Sequence, residues 1–240
     1  MIFNKNCLQQ SGQIVANKGE LLILLKTNKN YIWVYFITFF ALWCTKELWL
    51  VQYLDMMDSI PRDITSAVIK IAIWVIPVIF LVKIMEKDNP LSYLGLRHNF
   101  KKGLKWAGWV SLVFIFYFVI LNLTVLESNI NFQMGLHEWL NTILLVGITE
   151  EIVFRGFLLR KLMDSYKFWI ANIITALLFV SIHFPIWFYK GLFEFPYILG
   201  SILTAFVLGI LFGFVYKKSK SLWSVIIIHS LYNLLVSLFY

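Results

Sequence analysis

Three short motifs of charged, imidazole and amide side chains interrupt the hydrophobic stretches in the second half of this chain. They are Glu150-Glu151-x-x-x-Arg155, Phe179-x-x-x-His183 and His229-x-x-x-Asn233. Ionisable side chains are costly to place at membrane depth and mark functional sites there by default. A carboxylate can activate water, and amide or imidazole N–H groups can stabilise an oxyanion. The motifs therefore predict a reaction centre inside a bilayer.

Helical geometry separates the two adjacent glutamates. At about 100° per residue, Glu151 and Arg155 lie about 40° apart on one helix face, whereas Glu150 points about 140° away from Arg155. Glutamate on the N-terminal side of the cation is also the favourable order for such a pair. We therefore expect Glu151 to pair with Arg155, and Glu150 to face a cavity as the chemically available carboxylate.

The two histidine motifs have the same four-residue spacing, which places both side chains of each motif on one helix face. Pro185 has no N–H to donate to the carbonyl of Ser181, so we expect the helix to bend beside His183. His98 and His137 lie in predicted loops and are interpreted as incidental. The glutamate after His137 is not followed by the second histidine of the zinc-protease pattern.

Composition indicates a polytopic membrane protein. The chain of 240 residues is 60% hydrophobic and 14% charged, with a mean hydropathy of +0.77, whereas soluble domains are about 25% charged. Its two cysteines, Cys7 and Cys44, lie far apart and fit neither a structural disulfide nor a metal-ligand spacing. The net charge of +8 does not indicate a nucleic-acid partner, because the basic residues are concentrated in alternate loops.

Seven stretches near the length of a membrane-spanning helix, about 20 residues, predict an all-α fold, a membrane helical bundle. They cover residues 31–54, 67–82, 106–126, 139–163, 168–189, 195–216 and 221–240. We expect a hydropathy scan to miss 139–163, because this stretch carries the Glu-Glu-x-x-x-Arg motif. The stretch 195–216 has a small residue at every fourth position, which favours close packing within the bundle; the four are Ser201, Ala205, Gly209 and Gly213.

The distribution of lysine and arginine predicts the orientation. Basic residues cluster in 1–30, 83–105, 160–167 and 217–220, whereas the opposite loops contain only Arg62 and Lys190. This alternation predicts a cytoplasmic N-terminus and an external C-terminus. It also predicts three parts: a cytoplasmic segment (1–30), two membrane helices with a basic cytoplasmic loop (31–105), and a membrane core (106–240). No cleavable signal peptide is expected, because the early apolar run at 21–25 is too short.

The three motifs, in this order on successive membrane helices, resemble the CPBP family, which groups type II CAAX prenyl endopeptidases with bacteriocin-processing and abortive-infection proteins. The segment from Leu94 to Arg97, Leu-Gly-Leu-Arg, is also typical of it. The resemblance implies a catalytic core with defined roles. Glu150 would activate water, His183 would orient it, and Asn233 and an N–H of His229 would bind the oxyanion; Glu151 and Arg155 would support the site.

Several alternatives remain open on the sequence. Glu150, His183 and His229 could also ligate zinc, although we favour a metal-free glutamate mechanism without a cofactor. A catalytically silent scaffold or bacteriocin-immunity protein of the same fold is one rival, and a proton-coupled transporter is another. The expected partners are the bilayer and a hydrophobic or membrane-associated peptide, which we expect to reach the site from the inner side. A residue usage rich in Lys, Asn, Ile, Phe and Tyr suggests a bacterial cell membrane, where prenylated substrates are not expected.

Overall fold

The computed structural model describes residues 31–126 and 130–239, and the described residues form helices without any strand. The predicted cytoplasmic segment 1–30 lies outside them. Eight helices follow in chain order: α1 (Tyr31–Leu54), α2 (Ser59–Glu86), α3 (Pro90–Tyr93), α4 (Phe100–Ile120), α5 (residues 138–162), α6 (Phe168–Tyr189), α7 (Tyr197–Ser219) and α8 (Leu222–Phe239). The predicted all-α fold is confirmed.

Six of these helices are long and apolar enough to cross a membrane, namely α1, α2, α4, α6, α7 and α8. Helix α5 does not meet the same criterion, as expected from its charged motif. Large apolar side chains on α4 face outward, including Trp109 (65% exposed) and Phe116 (68% exposed). Apolar surface of this extent is suited to lipid. The protein is therefore a multi-pass membrane protein.

The chain divides into two compact units, Met1–Phe39 and Phe40–Tyr240. The described part of the first unit is the beginning of α1, from Tyr31 to Phe39. The second unit contains the rest of α1 and all later helices, including the three motifs. The division predicted at residue 105 stays a prediction.

Helix α5 is built from alternating π-helical and α-helical segments. In order they are Glu138–Leu145 (π), Val146–Glu151 (α), Ile152–Leu159 (π) and Arg160–Leu162 (α). The two motif glutamates end the first α-helical segment and lie between the two π-helical ones. Short π-helical insertions in α-helices occur frequently at functional sites.

Helices α6 and α7 pack closely through the small residues of α7. A Cβ atom added at Gly209 would lie 2.9 Å from Cβ of Ala176 on α6, and one at Gly213 would overlap the side chain of Asn172. The amide Nδ2 of Asn172 in turn donates to the carbonyl of Ile210, 2.9 Å away. The predicted packing role is thus confirmed for Gly209 and Gly213.

The segment between α3 and α4 anchors the beginning of α8. Gly95 has a φ of +80°, a conformation that favours glycine, and its carbonyl accepts from the backbone N–H of Leu222 at 3.0 Å. The indole Nε1 of Trp223 donates to the carbonyl of Leu96 at 2.9 Å. These bonds hold the start of α8, and His229 follows about two helical turns later.

Candidate active site

The predicted ion pair between Glu151 and Arg155 is present and fully buried. Arg155 Nη1 donates to Glu151 Oε1 at 2.8 Å, and the two side chains are 1% and 0% exposed. Two other helices join them. Arg155 Nη2 donates to the carbonyl of Gly209 on α7 at 3.1 Å, and Nδ1 of His229 on α8 lies 2.8 Å from Glu151 Oε1. We call Glu151, Arg155 and His229 the Glu151 cluster.

Two phenylalanine rings enclose the Glu151 cluster. The Arg155 Cζ atom lies 4.6 Å from the ring centroid of Phe179 and 5.3 Å from that of Phe212. Phe212 also packs on His229, with a ring-centroid distance of 5.1 Å. Phe179 therefore contacts Arg155 through its ring and His183 of its own motif through its carbonyl oxygen. Phe212, which the motifs did not indicate, completes the apolar wall.

Glu150 faces the other way, as predicted. Its side chain lines a cavity of about 510 Å³, together with His183 and Asn233. The side chain is buried, and its Oε2 atom has no hydrogen-bond partner among the described residues. The Nε2 atom of His229 lies 4.0 Å from this oxygen, within ion-pairing range if the imidazole is protonated. Glu150 is thus the carboxylate left available for chemistry.

His183 lies at the predicted interruption of α6. The helix runs regularly to Ser181, breaks, and resumes at Phe184 with Pro185 in its first turn. The Nδ1 atom of His183 lies 2.8 Å from the carbonyl oxygen of Phe179. A carbonyl oxygen only accepts, so Nδ1 carries the hydrogen. The Nε2 atom of a neutral His183 is then an acceptor for the cavity.

Asn233 is held between α8 and α5. Its Nδ2 donates to the carbonyl of Thr142 at 2.9 Å, which leaves the second N–H of the amide for another acceptor. The two helices approach closely, since a Cβ atom at Gly147 would lie 3.0 Å from the backbone nitrogen of Ser230. This close approach brings Thr142 and Asn233 together.

The hydrogen bond between His229 and Glu151 limits what His229 can do. Glu151 accepts through its carboxylate, so Nδ1 of His229 is the donor and Nε2 faces Glu150. In the neutral ring Nε2 is an acceptor, and it carries a hydrogen only in the imidazolium. The N–H expected of His229 is therefore available to the cavity only when the ring is protonated.

Part of the cavity lining comes from the loops with few basic residues. Tyr189 donates to Asp55 Oδ2 at 2.9 Å, and His137 Nδ1 lies 3.1 Å from Asp63 Oδ1; the cavity lining includes Asp55, His137 and Tyr189. The predicted approach of the peptide from the inner side stays a prediction. His137 is also not incidental, because it connects the beginnings of α2 and α5.

Lys70 is a member of the cavity that the motifs did not indicate. It lies on α2, is only 8% exposed and lines the same cavity as Glu150. Its ammonium lies 5.7 Å and 5.6 Å from the ring centroids of Trp43 and Trp74. The sequence did contain a signal for it, since a lysine in the middle of an apolar stretch is a candidate functional residue.

The residues named as a zinc set do not fit a metal site. Among the described residues, no three His, Cys, Asp or Glu side chains converge as metal ligands would. We therefore derive no step of the reaction through a metal ion.

Comparison with known proteins shows one family to which part of the chain is similar. No curated protein and no solved structure matches the chain. One family model matches residues 131–235, a range that contains α5 and all three motifs, and it is described as Rce1-like: type II CAAX prenyl endopeptidase Rce1-like. This match confirms the resemblance drawn from the motifs: residues 131–235 are similar to the Rce1-like type II CAAX prenyl endopeptidases.

Proposed function

We propose that this protein is an intramembrane endopeptidase that hydrolyses a peptide bond with water activated by Glu150. The observation that carries the proposal is the contrast within one dipeptide. Each glutamate has a buried Oε2 atom without a hydrogen bond, but Glu151 is bound through Oε1 by Arg155 and His229 and does not line the cavity, whereas Glu150 does. Family-level similarity to proteases supports hydrolysis as the reaction.

The proposed reaction begins with proton transfer from water to Glu150. His183 accepts a hydrogen bond from the same water through Nε2 and so directs the lone pair of its oxygen. The water oxygen forms a bond with the carbonyl carbon, and the electron pair of the carbonyl moves to its oxygen. Glu150 then returns the proton to the amide nitrogen as the C–N bond breaks, which releases an acid and an amine.

The oxyanion formed in the first step needs donors. Asn233 supplies the N–H that Thr142 does not use, and His229 supplies Nε2–H in its imidazolium form. Glu151 stabilises that imidazolium through Nδ1, while Arg155 balances the charge of Glu151. Glu151 and Arg155 thus support the cavity wall without touching the substrate, whereas His229 of the same cluster reaches the oxyanion.

The substrate we propose is a membrane-associated peptide, such as a hydrophobic leader, a pheromone precursor or a segment of a membrane protein. The cavity combines apolar side chains, including Leu54, Ile182 and Ile186, with charged ones. Burial of apolar surface contributes about 25 cal/mol per Å² only when that surface comes from water. Discrimination should therefore depend on unwinding of the peptide and on a few polar contacts.

The test is cleavage by the purified protein in liposomes. We expect a hydrophobic peptide that partitions into the bilayer to be cut by the wild type and not by Glu150→Gln. A soluble, wholly polar peptide of equal length is the control substrate. Efficient cleavage of the polar peptide without preference for membrane-bound substrate would contradict the proposed substrate class. A folded wild-type protein that cuts no membrane peptide would favour the silent scaffold.

We propose a bacterial cell membrane with the N-terminus inside and the C-terminus outside. Reporter fusions after Lys102 and Lys218 should then report the cytoplasm, and a fusion after Tyr240 should report the exterior. The cavity, part of whose lining comes from the loops with few basic residues, would receive its peptide from the external side. A cytoplasmic report from Tyr240 would reverse this assignment.

A further inference from the structure

We propose that Lys70 is a positioning residue that supplies the counter-charge of Glu150 across the cavity, without forming a contact ion pair. Its effect on turnover rests on the proposed function, whereas the charge relation itself does not. Lys70 belongs to none of the three motifs. It lies on α2, outside the region matched by the family model.

The buried ammonium of Lys70 needs a compensating negative charge. Its side chain is almost completely buried, and no carboxylate of the described residues forms an ion pair with it. Contacts with Trp43 and Trp74 at more than 5 Å stabilise an ammonium only weakly, whereas burial of an ion carries a large desolvation cost. The rings alone therefore do not offset the burial of this charge.

Most other cations of the cavity lining are already engaged. Lys46 pairs with Glu47 at 2.8 Å. Arg62 lies 3.4 Å and His137 lies 3.1 Å from the same Asp63 carboxylate. Lys190 lines the cavity but is exposed to solvent. Lys70 is the buried lysine of the described lining whose ammonium no carboxylate holds.

Glu150 is a buried carboxylate to which no neighbouring cation is directly bonded. On its own helix, Arg155 is bonded to Glu151. From α8, His229 approaches to 4.0 Å but donates through Nδ1 to Glu151, and from α6, His183 donates to a backbone carbonyl. Lys70 lines the same cavity as Glu150, and the interaction between the two opposite charges is attractive. The two buried charges therefore compensate each other electrostatically across the cavity, without direct contact.

Separation is useful for a base. A lysine in direct contact would use the carboxylate lone pairs that must accept a proton from water. At a distance, the ammonium favours the ionised carboxylate and leaves Glu150 Oε2 free of hydrogen bonds, as observed. Arg155 does the opposite for Glu151, since it binds the carboxylate directly and removes it from chemistry.

The experiment compares Lys70→Met and Lys70→Arg with the wild type in detergent at neutral pH. Infrared spectra, with the Glu150→Gln spectrum subtracted, report whether Glu150 is ionised. We expect an ionised carboxylate in the wild type and in Lys70→Arg, and a neutral carboxylic acid in Lys70→Met. Lys190→Met is the matched control, because it removes an exposed lysine of the same cavity, and it should leave the spectrum unchanged.

Kinetics provide the second readout. An opposite charge within about 4–6 Å changes the ionisation equilibrium of a carboxyl group by tenfold or more. We expect kcat of Lys70→Met to fall by about that factor with KM within about twofold, and Lys70→Arg to recover most of it. A raised KM with unchanged kcat would assign Lys70 to substrate binding and overturn the proposal.

The two proposals fail in different ways. If the wild type cleaves no peptide, the peptidase assignment fails, while the infrared comparison still decides the role of Lys70. An ionised Glu150 in Lys70→Met overturns the charge relation whatever the activity. If Lys70→Met is too unstable to purify, Lys70→Met/Glu150→Gln should recover the yield, because it removes both charges; no recovery overturns the proposal.

Discussion

Glu150 and Glu151 are adjacent and chemically identical, yet they lie in two different regions of the molecule. Glu151 belongs to a cluster closed by Arg155, His229 and two phenylalanine rings. Glu150 belongs to a cavity wall and faces open volume. One residue of helical rotation, about 100°, separates a carboxylate that holds helices together from one that is available to water.

The comparison shows how a membrane protein can keep a reactive base. A buried charge in an apolar bundle must be compensated. Direct compensation, as between Arg155 and Glu151, gives a stable structure without reactivity. Compensation by charges that do not touch the carboxylate retains its lone pairs for a substrate. The predictions below break or sharpen this contrast, beginning with the largest effect.

Replacement of the cavity carboxylate should abolish activity and preserve the fold. Glu150→Gln keeps the shape of the side chain and removes its basicity, so we expect turnover to fall by about 10²–10⁴-fold, the usual contribution of a general base. Peptide cleavage in liposomes measures the rate, and thermal unfolding in detergent measures the fold. A variant that loses activity only because it no longer accumulates would contradict the assigned role.

Replacement of Glu151 or Arg155 should lower the stability of the protein, in contrast to replacement of Glu150. Glu151→Gln leaves Arg155 without its carboxylate, and Arg155→Ala leaves Glu151 without its cation. Removal of one partner of a buried pair typically costs about 3–5 kcal/mol. We expect a lower unfolding temperature and lower abundance for both variants, measured beside Glu150→Gln. Equal loss of stability in all three would show that the two glutamates do not differ.

The cluster also depends on the close packing of α7 against α6. Gly209→Val would place side-chain atoms against Ala176 and move the carbonyl that accepts from Arg155. Overpacking of this kind costs about 1–3 kcal/mol. Gly200→Val is the control on the same helix, since a Cβ atom there meets nothing within 4 Å. Thermal unfolding should separate the two variants, and equal stability would argue against the close approach.

The smallest expected effect is that of a chelator. If Glu150 acts as a base, EDTA should leave the cleavage rate unchanged, and the purified protein should contain no stoichiometric zinc by elemental analysis. Activity that is lost to chelation and restored by zinc would reassign Glu150, His183 and His229 as ligands, and the contrast between the two glutamates would then concern metal binding.

Local geometry could be predicted from the sequence. Hydrophobic length identified the membrane helices and the all-α fold, and the four-residue spacing identified the pair of Glu151 with Arg155. The chemistry of proline identified the interruption of α6 next to His183. In each case the interacting groups lie within about one helical turn, so the rise and rotation of a helix determine their distance.

Contacts between helices were decided by the tertiary structure. Neither the bond from His229 Nδ1 to Glu151 nor the bond from Arg155 to the Gly209 carbonyl follows from a spacing. The placement of Lys70 and Glu150 in the lining of one cavity does not follow from a spacing either. These features depend on the tilt, rotation and axial offset of helices far apart in the chain. Close packing at Gly209 and Gly147 sets those quantities, and no periodicity within a single helix contains them.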